Sequence, residues 1–343
     1  MPNVAQGFNS YAGFGVQTVA LTTPATPTAF QQFSSESIKE NKKGYSTVPS
    51  IRFSRDSVLI QKGQRDVSGS ITYPLIPDEA GAGLLFAMLM GNNNTVSTTD
   101  TTAYTHVFNQ LRETTPADKP AYGATIHTLR GSFDNTLLMQ YIGCFLNKLS
   151  IGVKGDGGII EATADFVGAK EALSAPTIDT PNNSTKAPFE GFHAVISYGA
   201  DLGTLAQLSQ FQDLTVSINN NLKMLQTNGG QYPFAVNYGG FDSTLDFTMY
   251  LLEDLTLYNY FKNQVPLAVR LKITSDQLAG ATTAYNSIQI DLPKCIMLGD
   301  VPNVSNMEAI PHKVTLQALR GTGSYQYTAK VTVVNTQSGV YSV

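Results

Sequence analysis

The sequence predicts a mainly β protein with two tandem domains, each a β-sandwich or half-barrel that carries one short α-helix. Three observations lead to this prediction: period-two alternation in many short segments, a strand–helix unit that occurs twice, and a length of 343 residues. A chain of this length is too long for one small domain and suits two domains of roughly 150 residues, each with its own core.

The first strand–helix unit is the segment 63–91, GQRDVSGSITYPLIPDEAGAGLLFAMLMG. Its opening residues alternate between an apolar side and a polar side, the pattern of a half-buried strand. The apolar side holds Val67, Gly69, Ile71, Tyr73 and Leu75, and the polar side holds Asp66, Ser68, Ser70 and Thr72. Asp78 suits the N-terminal cap of a helix and Gly91 a left-handed C-terminal cap, so a helix is predicted over 79–90.

The same unit returns in the second half of the chain. Asp242, Thr244, Asp246 and Thr248 form its polar side, and a helix is predicted over 253–264, ahead of Pro266. These four residues match Asp66, Ser68, Ser70 and Thr72 one for one. The match indicates an internal duplication.

Composition shifts along the chain predict the domain boundaries. Residues 1–29 are rich in Gly, Pro, Thr and Ala and are predicted to form an extended N-terminal arm. Residues 30–173 form the first domain, which carries a long inserted loop over 92–135. The segment 174–188, SAPTIDTPNNSTKAP, has three prolines and reads as a linker, and 189–343 form the second domain.

The surface is poor in charge and rich in aromatic residues. Charged residues make up 14% of the chain, against about 25% in ordinary soluble domains, and it has 16 Tyr and 17 Phe without Trp. This composition favours a subunit that covers much of itself with copies of itself, although a secreted or surface β domain has a similar composition. The net charge of −4 argues against tight binding to a nucleic acid.

Motifs for catalysis or for a cofactor are not found in the sequence. The four histidines are scattered, and the glycines match no dinucleotide or phosphate loop. Asp242 and Asp246 would lie about 13 Å apart along a strand, too far for paired acid and base work. Cys144 and Cys295, in the similar settings YIGC and LPKC, are predicted to be buried free thiols. We therefore expect no enzyme, no metal and no cofactor.

The N-terminus, MPNVAQGFNS, lacks the basic start and apolar core of a signal peptide. A run of about 18 apolar residues, long enough to span a bilayer, is also missing. We expect a soluble chain that is made in the cytoplasm and does not enter a membrane.

Four segments in a fixed order carry a resemblance to a known family. They are FQQFSSESIKENK, the RDVSGSI strand with its helix, AYTHVF, and YIGCFLNKLSIGVKGDGGIIEATADFVG. This order resembles the tail tube (major tail) proteins of long-tailed bacteriophages over most of residues 30–168. The second half is similar through QDLTVSINNNL and the repeated unit. The resemblance implies two tail-tube-type domains.

The resemblance also implies a structural virion protein, made in the host cytoplasm, whose subunits join their sheets into rings lined by a β-barrel. The rings stack into the tail tube, which delivers the genome to the host. Family members with one tube domain form rings of six, so two domains imply a homotrimer with pseudo-six-fold symmetry. The implied partners are further copies of the chain, a tape measure protein and tail end proteins, while double-stranded DNA passes without tight binding.

The polar side of the two repeated strands is the candidate lumen-facing surface. It holds Asp66, Ser68, Ser70, Thr72, Asp242, Thr244, Asp246 and Thr248, with no basic residue, and clustered Lys or Arg would hold passing DNA. The opposite side is predicted to pack on the two helices. The alternative is that this polar side is an ordinary solvated face of a sandwich.

Two further interpretations stay open. The inserted loop and the N-terminal arm are candidates for contacts between stacked rings. An alternative function is a carbohydrate- or receptor-binding β-sandwich on a phage or cell surface, which would need an exposed aromatic platform. Tyr258, Tyr260, Tyr325 and Tyr327 are the candidates for one, although their spacing also fits helix and strand packing.

Overall fold

The computed structural model describes residues 10–17, 21–43, 46–47, 60–77, 80–91, 94–110, 122–130, 138–172, 179–208, 211–250, 256–280, 283–298 and 310–341. Within these ranges the protein is mainly β with two α-helices, as the sequence predicts. Nineteen of the strands belong to one antiparallel sheet, and two small hairpins stand apart from it.

The elements of the first half are Tyr11–Val16 (β1), Ala29–Gln31 (β2), Ser35–Glu36 (β3), Lys39–Lys42 (β4), Ser46–Thr47 (β5), Ile60–Gln61 (β6), Arg65–Pro74 (β7), Ala80–Met90 (α1), Asn94–Asp100 (β8), Ala103–Asn109 (β9), Gly123–Leu129 (β10), Leu138–Val153 (β11), Glu161–Gly168 (β12) and Lys170–Glu171 (β13). Those of the second half are Ala194–Gly199 (β14), Ala206–Leu208 (β15), Leu214–Asn219 (β16), Lys223–Leu225 (β17), Ala235–Asn237 (β18), Asp242–Tyr250 (β19), Thr256–Lys262 (α2), Leu267–Leu278 (β20), Tyr285–Leu298 (β21), Pro311–Leu319 (β22) and Lys330–Asn335 (β23). One turn of 3-10 helix, Gly191–His193, precedes β14.

The two halves repeat one order of strand pairing. In the first half the neighbours run β2, β1, β10, β11, β12, β7 and β4. In the second half they run β15, β14, β20, β21, β22, β19 and β16. Along the chain, the β5–β6 hairpin lies between β4 and β7, and the β17–β18 hairpin lies between the equivalent strands β16 and β19. The topology therefore repeats, while the division into two separate domains stays a prediction.

Two strand pairs join the halves into one sheet. Residues 148–153 of β11 pair with β16, and β9 pairs with β23 near the end of the chain. A single cluster of buried apolar side chains also draws on both halves. The halves are thus connected through backbone hydrogen bonds and a shared core in addition to the segment between them.

The alternation predicted for the repeated strands is present in the structure. Val67, Ile71 and Tyr73 of β7 are buried, as are Leu245, Phe247 and Met249 of β19. Their cluster includes most of α1, which packs against β2, β9 and β11, while α2 packs against β21. Gly91 ends α1 at φ +82° and donates its N–H to the carbonyl of Ala87 at 3.0 Å, as predicted. The predicted cap Asp78 lies outside the described residues.

The prediction of an extended N-terminal arm is wrong for the residues of β1. The sequence analysis predicted an extended arm over 1–29, but β1 lies inside the sheet between β2 and β10, and Ala12 and Phe14 are fully buried. The glycines that suggested flexibility serve close packing instead. A Cβ on Gly13 would come within 2.9 Å of the Phe30 ring, so only glycine lets the two strands approach this closely.

The prediction of an inserted loop in 92–135 is wrong only for 94–100 among the described residues; the alternation of 104–108 and 122–129 also predicts strands, and both are present. Residues 94–109 form the β8–β9 hairpin, and β10 follows within the sheet. The Thr- and Asn-rich composition of β8 hid this strand, because few of its side chains are apolar. Since β9 also pairs with β23, the insertion extends the sheet.

The predicted linker 174–188 is described from residue 179 onwards and contains neither helix nor strand there. It is held against the sheet by polar contacts. The hydroxyl of Tyr11 donates to a carboxylate oxygen of Asp179 at 3.0 Å, and the same oxygen lies 2.7 Å from Nδ1 of His127. Asp179 therefore lies against β1 and β10.

Candidate functional site

The candidate surface, which we call the polar face, is one side of the sheet formed by β4, β7, β12, residues 148–153 of β11, β16, β19, β22 and the end of β21. Its position follows from the two-residue period of the strands: every second side chain enters the buried cluster and the others point away. All eight residues predicted for the lumen are half-buried and lie on this face, namely Asp66, Ser68, Ser70, Thr72, Asp242, Thr244, Asp246 and Thr248.

Neighbouring strands extend the polar face in rows, because residues opposite each other on paired strands share a side of the sheet. One row runs from Thr72 through Thr163, Ser150, Ser217 and Thr244 to Gln317. Hydroxyl groups connect neighbours within it, with 3.1 Å between Oγ1 of Thr72 and Oγ1 of Thr163, and 2.9 Å between the Oγ atoms of Ser150 and Ser217. This row crosses the junction between the two halves without interruption.

Acidic side chains occupy the rows on either side. Asp165 lies opposite Lys148, and Asp246 accepts a hydrogen bond from the hydroxyl of Thr315 at 2.6 Å. Partial burial raises the pKa of Asp165, and the nearby Lys148 ammonium opposes this shift. Asp66 accepts a hydrogen bond from the side-chain amide of Asn41 at 3.0 Å. The carboxylates are therefore held individually by neutral or basic neighbours.

The charge of the polar face is close to balance. Within its strands the acidic residues are Asp66, Glu161, Asp165, Asp242 and Asp246, and the basic residues are Lys39, Lys148, Lys294 and Lys313. Five negative and four positive charges leave a net charge of −1 for the strands themselves, and Lys43, which follows β4 and forms an ion pair with Asp66, balances it. β7 and β19 carry no lysine on this side, but their neighbours do.

The sequence pattern did not predict that Glu161, Asp165 and the four lysines belong to this surface. Each belongs to a strand whose own alternation is visible in the sequence. What the sequence does not reveal is the register that places Lys148 beside Asp165 and Lys313 beside Thr248. The matching Asp, Ser and Thr pattern of β7 and β19 is the signal that does identify the face.

Two kinds of chemical site can be assessed within the described residues, metal centres and reactive thiols. Groups of three or more side chains that could hold a metal ion are absent there. Cys144 and Cys295 are buried and unpaired, and burial raises the pKa of both thiols, that of Cys295 to about 12. Thiols held in their neutral form are poor nucleophiles.

The aromatic residues of the alternative function occupy two places, the helix α2 and the loop before β23. Tyr325 meets Tyr327 edge to face, with 6.3 Å between ring centroids and 84° between planes. Tyr325 is exposed, but rings that meet edge to face do not make a flat stacking platform.

An open cavity of about 840 Å³ adjoins the polar face at Lys39. It is lined by residues of the β2–β4 segment and by Arg130, whose guanidinium donates to the carboxylate of Glu36 through Nε and Nη2 at 3.0 Å each. This bidentate pair holds the chain before β4 in place.

These observations define a class: a structural β protein with a repeated topology and a near-neutral polar sheet face spanning both repeats. A family described as phage tail tube protein matches residues 7–318, which is nearly the whole chain. The chain therefore belongs to the phage tail tube protein family and is a structural component of the virion tail. No match to a curated protein was found. Among the described residues no helix is both long and apolar enough to cross a membrane.

Proposed function

We propose that this chain assembles into rings of three copies, that the rings stack into the tail tube, and that the genome is delivered through the lumen. The observation that carries the proposal is the polar face, which runs through both halves in one continuous set of strands. The first half contributes β4, β7, β12 and β11 to this face, and the second half contributes the equivalent strands β16, β19, β22 and β21. Three chains therefore bring as many copies of this four-strand unit as six single-domain subunits would.

The polar face suits the wall of a DNA conduit. Hydroxyl and amide groups dominate its middle row, and its charges nearly cancel, so passing phosphates find no basic cluster to release their counterions. The apolar opposite side belongs to the buried cluster, which gives the wall a packed support. Closing the sheet into a barrel by association also removes exposed sheet edges.

Contacts between stacked rings and with other tail proteins belong to the same proposal. The β8–β9 hairpin carries exposed threonine and serine side chains, among them Thr95, Ser97 and Thr99, and is our candidate for a contact between rings. The N-terminal segment is the second candidate, and deletion of residues 1–9, ahead of β1, tests its role in tube formation. The tape measure and tail end proteins are the further partners we expect for the finished tube.

The number of copies in a ring can be measured directly. Short assemblies of the purified protein should release rings in native mass spectrometry whose mass is three times 36.9 kDa. A species of six times that mass, with no three-chain ring, would contradict the three-copy proposal while leaving tube formation standing.

The assignment of the polar face to the lumen can be tested by reversing one charge. The Asp246→Lys change raises the net charge of the face by two in every copy, so we expect DNA ejection from assembled phage to slow and to become more sensitive to salt. Asp201→Lys, at an exposed turn between β14 and β15, is the matched control and should leave ejection unchanged. Normal ejection by Asp246→Lys tails would place the polar face elsewhere.

A further inference from the structure

We infer that the outer edge of β4 pairs with the end of β21 from a second copy of this chain, antiparallel, with Asn41 opposite Leu298. The inference rests on the proposed ring and specifies its joint at the level of single residues. It is drawn from a joint that the chain already makes within itself.

The internal joint is the pairing of β11, in the first repeat, with β16, in the second. Residues 148–153 of β11 have β12 on one side and β16 on the other, and Lys148 lies opposite Asn219. The polar face thus runs β4, β7, β12, β11 and then β16, β19, β22, β21. It begins with β4 and ends with β21.

The position equivalent to Asn219 follows from the shared registers. Asn219 lies opposite Asp242 on β19, and Asn41 lies opposite Asp66 on β7. Because Asp66 and Asp242 occupy matching places in the two repeated strands, Asn41 is the equivalent of Asn219. Both are asparagines.

The position equivalent to Lys148 follows in the same way. Ser70 and Asp246 match, and they lie opposite Asp165 and Thr315. Asp165 faces Lys148, and Thr315 faces Leu298, so Leu298 is the equivalent of Lys148.

The two cysteines give an independent check of this alignment. Continuing the same registers along β11 and β21 sets Cys144 opposite Gly168 and Cys295 opposite Ala318, once the bulge between Leu146 and Lys148 is allowed for. A Cβ on Gly168 would indeed lie 2.8 Å from Sγ of Cys144. The two buried thiols therefore occupy equivalent positions.

The two edges that the alignment brings together are both open in the described part of the chain. There β4 has only β7 as a ladder partner, and Leu298 has only Thr315. Leu298 is 43% exposed although it is a large apolar side chain at a strand edge. Such an edge pairs readily with another strand.

A second copy is the occupant because this chain carries both edges, β4 at one end of the polar face and β21 at the other. One copy presents the β4 edge and the next presents the β21 edge, which makes a head-to-tail contact that closes into a ring. The contact repeats the β11–β16 joint, so all joints around the ring become equivalent. This equivalence is the pseudo-symmetry that the proposed ring needs.

The test is cross-linking in the assembled state. Tubes of the Asn41→Cys/Leu298→Cys variant are oxidised and run on a non-reducing gel. The expected result is loss of most of the monomer band and a ladder that stops at three chains. A ladder that extends beyond three supports the strand register and contradicts the three-copy ring.

Matched variants control the geometry. Lys148→Cys/Asn219→Cys has the same facing register inside one chain and should form an internal disulfide with no higher species. Asn41→Cys/Lys294→Cys moves one partner four residues, about 13 Å, along the strand and should stay monomeric. The native Cys144 and Cys295 are buried, so the oxidised wild-type protein should also stay monomeric.

If a cysteine variant does not assemble, hydrogen exchange on the wild-type protein tests the same pairing of β4 with β21. On going from dispersed chains to tubes, the amides of 39–42 and 296–298 should slow by at least tenfold. Tubes that form without this protection, or without the Asn41–Leu298 cross-link while the internal control pair forms, overturn the inference and leave the proposed function intact. Failure of the wild-type chain to form tubes at all overturns the proposed function first.

Discussion

The two strand–helix repeats share their topology but differ in what covers the helix. In α1 all residues after Ala80 are buried, whereas in α2 only Leu257 is buried. The difference lies in the elements around the helix. β9, from the hairpin inserted after α1, packs on α1, and the ring of Tyr341 near the C-terminus lies against Gly83. The inserted hairpin and the C-terminal segment thus help to bury one copy of the helix, while the other copy stays at the surface.

The cover over α1 is assembled from distant parts of the chain. Tyr341 lies 5.9 Å from Phe108 of β9 and 4.8 Å from His106, ring centroid to centroid. The side-chain amide of Asn335, at the end of β23, donates to the hydroxyl of Tyr341 at 2.7 Å. The first repeat thus depends on the last residues of the second, whereas α2 packs locally.

The largest effect should come from emptying the core around α1. Phe86→Ala is expected to lower the free energy of unfolding by about 3–5 kcal/mol, because Phe86 is 1% exposed and its loss leaves a cavity. Phe261→Ala makes the same chemical change in α2, where the side chain is half-buried, and should cost less than half as much. Equal losses in denaturant unfolding would mean that the two helices are covered alike.

The next effect tests the contact between α1 and the C-terminal tyrosine. Gly83→Ala should destabilise the protein by about 1–3 kcal/mol, because the added methyl group overlaps the Tyr341 ring and outweighs the gain in helix propensity. In a double-mutant cycle, Tyr341→Ala should remove most of this penalty.

The matched change in α2 is Asn259→Ala at an exposed position, which should alter stability by no more than about 0.5 kcal/mol. A full Gly83→Ala penalty that persists in the Tyr341→Ala background would show that the overlap with Tyr341 is not its cause.

The smallest effect is the pH dependence of stability around α1, where His106 and Tyr341 pack. Burial lowers the pKa of His106, whose Nε2 lies 2.9 Å from the carbonyl oxygen of Gln337. The unfolded chain then binds more protons than the folded chain just below pH 6.5, so stability should fall as the pH drops through this window.

The protection factors of the α1 amides, which divide the intrinsic exchange rate by the observed rate, should fall between about pH 7.5 and about pH 5, while those of the α2 amides should stay constant. His106→Gln keeps a donor for Gln337 and should flatten the response at α1. An unchanged slope in this variant would assign the pH dependence to another group, such as His312, whose pKa is also lowered by burial.

Period and repetition in the sequence were enough to predict the mainly β class, the polar side of β7 and β19, the helix α1 and the equivalence of Cys144 and Cys295. These features are local, or they compare one segment with another. The burial of β1 was missed because Gly13 and Gly15 suggest flexibility, whereas each makes room for a neighbouring segment. Such a contact depends on the partner segment, which the local pattern does not specify.

The long-range pairs were missed for a related reason. The β11–β16 and β9–β23 ladders join segments that are far apart in the sequence, and nothing in either segment alone encodes its partner. β8 was predicted as loop because its Asn and Thr residues carry little apolar signal, yet pairing with β9 makes it a strand. The lysines of the polar face were unforeseen because their positions depend on these registers.

The central claim is that the polar face of both repeats forms the inner wall of a ring made from three chains. Electron cryomicroscopy of assembled tubes tests it most directly, because the map gives the number of chains in each ring and the direction of each strand face. The account predicts three chains per ring, with Asp66 and Asp246 facing the bore. Six chains per ring, or these two carboxylates on the outer surface of the tube, would contradict it.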